Sequence, residues 1–249
     1  MDESLALRAE ERLTLIRAKI ERAKKHFREL ETELESFRDR YRHVQVGKRD
    51  TETWEVGPPF KIQKIPIISF NILTTTGDTI HNLRSALDHL AYQLVLVGTP
   101  GVEPSRQVEF PIAKDVTTYE TDKPRKVKGM RPEAVDAIDA LKPYHGGTEA
   151  FWRIHELDNI DKHRDLFKTG TDWLVEGEWV PGVGAYLLKT SNPHFSGIWM
   201  TDVEKEIYLR PSESFGDPEI LARNALLPTI KELVYFVDGL AREFVPYLE

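Results

Sequence analysis

From Ala6 to Val44 apolar side chains recur in a three-four alternation, at Ala6, Ala9, Leu13, Ile16, Ile20, Ala23, Phe27, Leu30, Leu34, Phe37, Tyr41 and Val44, with charged residues between them. This heptad stripe predicts a first helix over about 3–45, roughly 60 Å long at 1.5 Å per residue. Its aromatic seam positions suit packing on a mixed helical core better than a slender two-stranded zipper. A bundle helix is therefore expected, with pairing to a second copy as the alternative. A second stripe, Ile80, Leu83, Leu87, Leu90, Leu94 and Val97, predicts a helix over about 78–97, introduced by Gly77 and Asp78 and ended by Gly98. Pro132 opens a short helix over 132–141, and Gly146-Gly147-Thr148 introduce another over 149–167 whose apolar residues are scattered around its circumference. The chain closes with a helix over about 218–248, kinked or broken near Pro228, in which Ile230, Leu233, Val234, Val237, Leu240, Ala241 and Phe244 form a wide apolar face.

Between these stretches the period changes to two. Glu52–Val56 and Phe60–Ile65, separated by Gly57-Pro58-Pro59, read as strands, and Ile67 to Thr75 reads as an edge strand or a bent approach to the next helix. Residues 172–210 read as an antiparallel meander through Trp173–Val175, Ala185–Leu188, Gly197–Met200 and Glu206–Leu209. Because a lone hairpin is marginal, the segments 52–75 and 172–210 are expected to share one sheet. The stretch between Gly98 and Pro132, with the apolar run Val108-Glu109-Phe110-Pro111-Ile112 and the basic residues Lys123, Arg125, Lys126, Lys128 and Arg131, reads as a long loop. The expected class is α+β, mainly α: a single domain over 1–249, built as a helical bundle with long N- and C-terminal helices and an antiparallel β-sheet appendage.

Composition narrows the chemistry. With 249 residues, one large core is affordable, and the absence of cysteine removes disulfides, thiolate metal sites and cysteine nucleophiles together. No uninterrupted apolar run could span a bilayer, and Met1-Asp2-Glu3-Ser4 does not open a basic signal segment, so the expectation is a cytoplasmic protein with no membrane partner. A formal net charge of −7 argues against a surface that embraces nucleic acid everywhere, while local basic runs at Arg17–Arg28 and Lys123–Arg131 leave room for RNA. Nucleotide-loop glycine patterns are absent, and no cofactor is expected.

The chemically capable residues fall in two clusters. Thr79–Leu90 places His81, Asn82, Arg84, Ser85, Asp88 and His89 on one helix outside its apolar stripe. His155–Arg164 adds His155, Asp158, Asn159, Asp161, Lys162 and His163 on another, so two helices could line one site. The competing structural reading is an i,i+4 pair between Arg84 and Asp88 and an internal salt-bridge network on the second helix.

Arg84, four intervening residues and His89 match the Arg-x4-His pattern, and in carrying it on a helix of a mainly helical core the chain resembles the HEPN-like superfamily. The segments Gly77–Leu94 and Glu156–Arg164 also look like those of a group of uncharacterised bacterial and phage proteins. The HEPN resemblance implies a metal-independent endoribonuclease, a toxin or defence effector with RNA as substrate, a homodimeric site, and an antitoxin or other partner protein. In that scheme Arg84 holds phosphate, His89 moves a proton, and Asn82, Ser85 and Asp88 orient His89 or touch phosphate; from the second cluster, Asp158, Asn159, Lys162 and His163 are the further candidates for the same site. Two alternatives use the same residues differently. Asp78 with His81, His155 with Asp158, and Asn159 with His163 have spacings from which a bundle can build a histidine and carboxylate metal site. Alternatively the chain is a noncatalytic interaction or scaffold protein, with the polar clusters fixing helix register.

Overall fold

A computed structural model describes residues 3–40, 68–163, 169–176, 208–215 and 225–249. Six helices follow in chain order: α1 (Glu3–Arg40), α2 (Phe70–Gly98), α3 (Val116–Lys126), α4 (Pro132–Ala140), α5 (Glu149–His163) and α6 (Leu226–Glu243), the last continued by a 3-10 turn over Val245–Leu248. Two strands, β1 (Thr169–Glu176) and β2 (Tyr208–Phe215), lie between α5 and α6. The chain divides into two units. The first comprises Met1–Leu30, Thr74–Phe167 and Pro228–Glu249, and the second Glu31–Leu73 and Lys168–Leu227.

In the first unit the heptad stripe of α1 is core. Ala9, Leu13, Ile16, Ile20, Ala23, Phe27 and Leu30 are all buried, as the three-four alternation requires of a helix with one inward face. In the second unit the stripe continues with buried Leu34 and Phe37; Tyr41 and Val44 lie outside the described residues. Within the first unit, Lys24 of α1 reaches Asp238 of α6 at 3.0 Å, and Arg12 donates to Gln93 of α2 at 3.2 Å. An aromatic column links three further pieces: Phe110 stacks on Phe151 of α5 with centroids 5.2 Å apart, and Phe151 meets Phe236 of α6 edge-on at 4.8 Å.

The α+β expectation is corrected to a mainly helical fold. Among the described residues no sheet joins 52–75 with 172–210; the paired strands there are β1 and β2, a single ribbon in the second unit running from Thr169↔Phe215 to Glu176↔Tyr208. The strand segments at 52–65 and 185–200 lie outside the described residues. Ile67 to Thr75 was expected to be extended, yet α2 begins at Phe70. The Ser69 hydroxyl accepts from the Ile72 N–H at 3.4 Å, in the manner of an N-cap. Burial of Ile72, Leu73, Thr76, Thr79 and Ile80 at helical spacing then outweighs the strand preference of the β-branched run.

Gly77 does not start α2 but sits inside it. A Cβ built there would lie 2.3 Å from Asp161 Oδ1, so the missing side chain is what lets α2 approach α5. The loop expected between Gly98 and Pro132 contains α3, capped by Asp115, whose side chain accepts from the Thr118 N–H at 2.7 Å. Pro228 neither breaks nor kinks α6: it stands in the first turn, where backbone N–H groups have no helical partner to lose. Among the described residues no helix is long and apolar enough to cross a membrane.

Candidate functional site

The polar residues of α2 and α5 meet in the first unit, together with the segment Glu109–Ile112 and the end of α3. Arg84 is the centre of the inner half. Its side chain is 4 % exposed, and both terminal nitrogens donate to the Phe110 carbonyl, at 3.3 and 3.2 Å. Nη2 also pairs with Asp88 Oδ1 at 3.0 Å and Glu109 Oε2 at 3.4 Å. Asp88 Oδ1 in turn accepts from the Phe110 N–H at 3.0 Å, so one helical i,i+4 pair grips both the donor and the acceptor of a single peptide residue 26 positions from the arginine. Phe110 itself is fully buried against Phe151, which fixes the grip from the other side.

Lys126 extends this arrangement. Its side chain is 7 % exposed; Nζ donates to the Ile112 carbonyl at 3.2 Å and pairs with Glu109 Oε1 at 2.9 Å. Glu109 therefore bridges two buried cations while its own side chain is 40 % exposed. Burial works to raise the Glu109 carboxyl, but Lys126 and Arg84 outweigh it and hold the group below the ordinary range. Asp88 goes the other way, raised by burial in spite of Arg84 and the Phe110 N–H, with Glu109 adding repulsion.

His155 adjoins the same cations. Burial, then the positive charges of Arg84 and Lys126, lowers its pKa from 6.5 to about 4, so the imidazole is neutral at physiological pH. A neutral ring agrees with its hydrogen bond, because the Asn159 amide approaches Nε2 at 3.0 Å and a donor there needs an unprotonated nitrogen.

The outer half is built around Asp158, 4 % exposed on α5. Oδ1 accepts from His81 Nδ1 at 3.1 Å and Oδ2 from Lys162 Nζ at 2.6 Å. The His81 side chain is 46 % exposed, so the buried carboxylate holds one nitrogen of an exposed ring. Nearby Asp161 has its carboxyl raised, first by burial and then by the negative charges of Asp78 and Asp158.

Of the residues expected to form a site, the structure brings Arg84, Asp88, Asp158 and Lys162 into these two halves, and Asn159 through His155. The Asn82 amide turns back to the Asp78 carbonyl of its own helix at 2.8 Å. Ser85 and His89 are half-buried on α2, and no hydrogen bond or ion pair joins either to the cluster among the described residues. The His163 side chain lies outside the described residues. Glu109 and Lys126 join the site although the sequence reads one as part of an apolar run and the other as part of a basic loop. Among the described residues no three His, Asp or Glu side chains gather as a metal ion would require, so the spacings at Asp78–His81 and His155–Asp158 do not close into such a set. A shallow depression of about 270 Å³ elsewhere is lined by Glu11, Arg12, Leu15 and Gln93, none of which belongs to the cluster.

No family model matches this chain, and neither the curated proteins nor the solved structures contain a match to it.

Proposed function

We propose that this chain is a noncatalytic helical interaction protein, in which the polar layer between α2 and α5 fixes helix register and fastens Glu109–Ile112 across both. The state of Arg84 carries this reading. The guanidinium that a HEPN-like scheme would offer to phosphate is 4 % exposed and engaged with Phe110, Asp88 and Glu109. The charges around it balance: Asp88 and Glu109 answer Arg84 and Lys126. At the outer half the negative charges of Asp78 and Asp158 act on Asp161, and Lys162 pairs with Asp158, a surplus of carboxylates that disfavours an anionic backbone.

A second reading, metal-independent cleavage of RNA, is favoured by one observation: an exposed His81 imidazole oriented by a buried carboxylate, the arrangement a general base needs. In this reading His81 moves the proton and Arg84 positions the site.

The two readings separate when purified protein is incubated with a mixed RNA pool in the presence of chelator. The first expects intact RNA with wild type and every variant. Cutting that persists in chelator and disappears in a folded His81→Gln variant would overturn it and establish the second. Cutting lost in folded Arg84→Ala and His89→Ala variants, but not in His81→Gln, would assign the HEPN-like roles.

A further inference from the structure

We infer that Arg84 and Lys126 form a carboxylate-binding site that Glu109 fills in the free chain and that an external carboxylate takes when the Glu109 side chain swings out. This deepens the interaction reading above and rests on it for the partner, while the site itself stands on four features of the cluster.

The two cations are 4 % and 7 % exposed, whereas the anion between them is 40 % exposed. The cations are thus fixed and their shared counter-ion is the accessible member. Each cation also has an anchor that does not depend on Glu109: Arg84 keeps the Phe110 carbonyl and Lys126 keeps the Ile112 carbonyl, two residues apart on one segment. Removing Glu109 leaves the donors in place, which is the preorganisation a binding site requires. The departure needs no movement of the main chain, because the Phe110 N–H remains on Asp88 and its ring remains stacked on Phe151. Only the side chain turns.

Charge selects the ligand. With Glu109 withdrawn, Arg84 and Lys126 face Asp88 alone, a balance of one positive charge, and Asp88 stays 3.0 Å from Arg84 Nη2. A monoanion restores neutrality, whereas a dianion would crowd Asp88. His155 contributes no charge, since the same cations keep it neutral. The bidentate partner that already occupies the donors is a carboxylate, one oxygen to each cation, at 3.4 and 2.9 Å. The external ligand is therefore a carboxylate group, presented either by a small acid or by an acidic side chain of a partner protein.

The test clears the resident and supplies a substitute. Glu109→Ala should melt several degrees below wild type in chloride buffer, and acetate should restore it saturably, with chloride at equal ionic strength giving no recovery. Binding of ¹³C-labelled acetate, followed by NMR, should be at least tenfold tighter in Glu109→Ala than in wild type. The double variant Glu109→Ala/Lys126→Met should lose that gain. A short glutamate-rich peptide binding more tightly than acetate identifies a partner side chain as the source, and a peptide no tighter than acetate identifies a small acid. Absence of saturable acetate binding in folded Glu109→Ala would overturn the proposal. So would an equal acetate response in wild type and variant. Glu109→Gln, which keeps the shape and removes the charge, is the second variant if Glu109→Ala does not fold. Because the readout is binding, its failure leaves the RNA experiment untouched.

Discussion

The inner half of the polar layer pairs α2 with Glu109 and α3, the outer half pairs α2 with α5, and the two bury opposite members. Around Phe110 the cations are inside and the carboxylate Glu109 is partly outside; around Asp158 the carboxylate is inside and the imidazole and ammonium are outside. A buried guanidinium fixed to a main-chain carbonyl holds a segment in place. A buried carboxylate with an exposed imidazole holds a ring in place at the surface. Which partner is desolvated decides what an ion pair can do, because the exposed member alone is free to exchange.

Breaking the inner half should have the largest effect. Arg84→Met leaves Asp88 and Glu109 without their shared cation and leaves the Phe110 carbonyl with the Ile112 N–H in place of three donors, and is expected to cost about 3–5 kcal/mol in urea unfolding. Asp158→Asn comes next: it removes the charge facing His81 and Lys162 in a buried position, with an expected cost of about 1–3 kcal/mol by the same measurement.

Acid sharpens the contrast in a different way. His155 is neutral in the fold down to about pH 4, while in the unfolded chain it takes a proton near 6.5. Acidification between those values therefore favours the unfolded chain. Its contribution is intact above about 6.5 and is lost progressively as pH falls toward 4. Replacing it by His155→Gln should flatten the fall of Tm with pH over that window, whereas an unchanged slope would show that the imidazole is not held neutral.

The smallest effect is expected at His89. It is half-buried and joins neither half of the layer, so His89→Ala should alter stability by less than about 0.5 kcal/mol and leave acetate binding by Glu109→Ala unchanged. A large loss of stability would assign His89 a packing role.

Much of this arrangement was legible in the chain itself. The stripe from Ala9 to Phe37 is buried as its period demands, and the i,i+4 pairs Arg84–Asp88 and Asp158–Lys162 form at 3.0 and 2.6 Å. Local spacing carries such features because a helix sets neighbours within one turn. What spacing cannot carry is the third partner. Nothing in Val108–Ile112 signals that Glu109 meets Arg84, or that Lys126, one of several basic residues in a row, turns inward. The early start of α2 was missed for a related reason: Thr74-Thr75-Thr76-Gly77 resembles a strand and a breaker, and only packing against Asp161 shows that the glycine is there for clearance. Asp115, by contrast, was a readable signal, an aspartate three residues before the amide it caps.

Two of the long-range ties of the first unit also suggest an order of assembly. Arg84 finds Phe110 across 26 residues, all within one continuous stretch of chain, while Lys24 finds Asp238 only across 214. During synthesis the Phe110 grip can close soon after α3 leaves the ribosome, but the flank of α1 that meets α6 must wait until α6 has been made. Of these two ties, the one that joins α1 to α6 is thus the later to form, and a nascent chain halted before Leu226 could close the Phe110 grip while Lys24 still lacked Asp238.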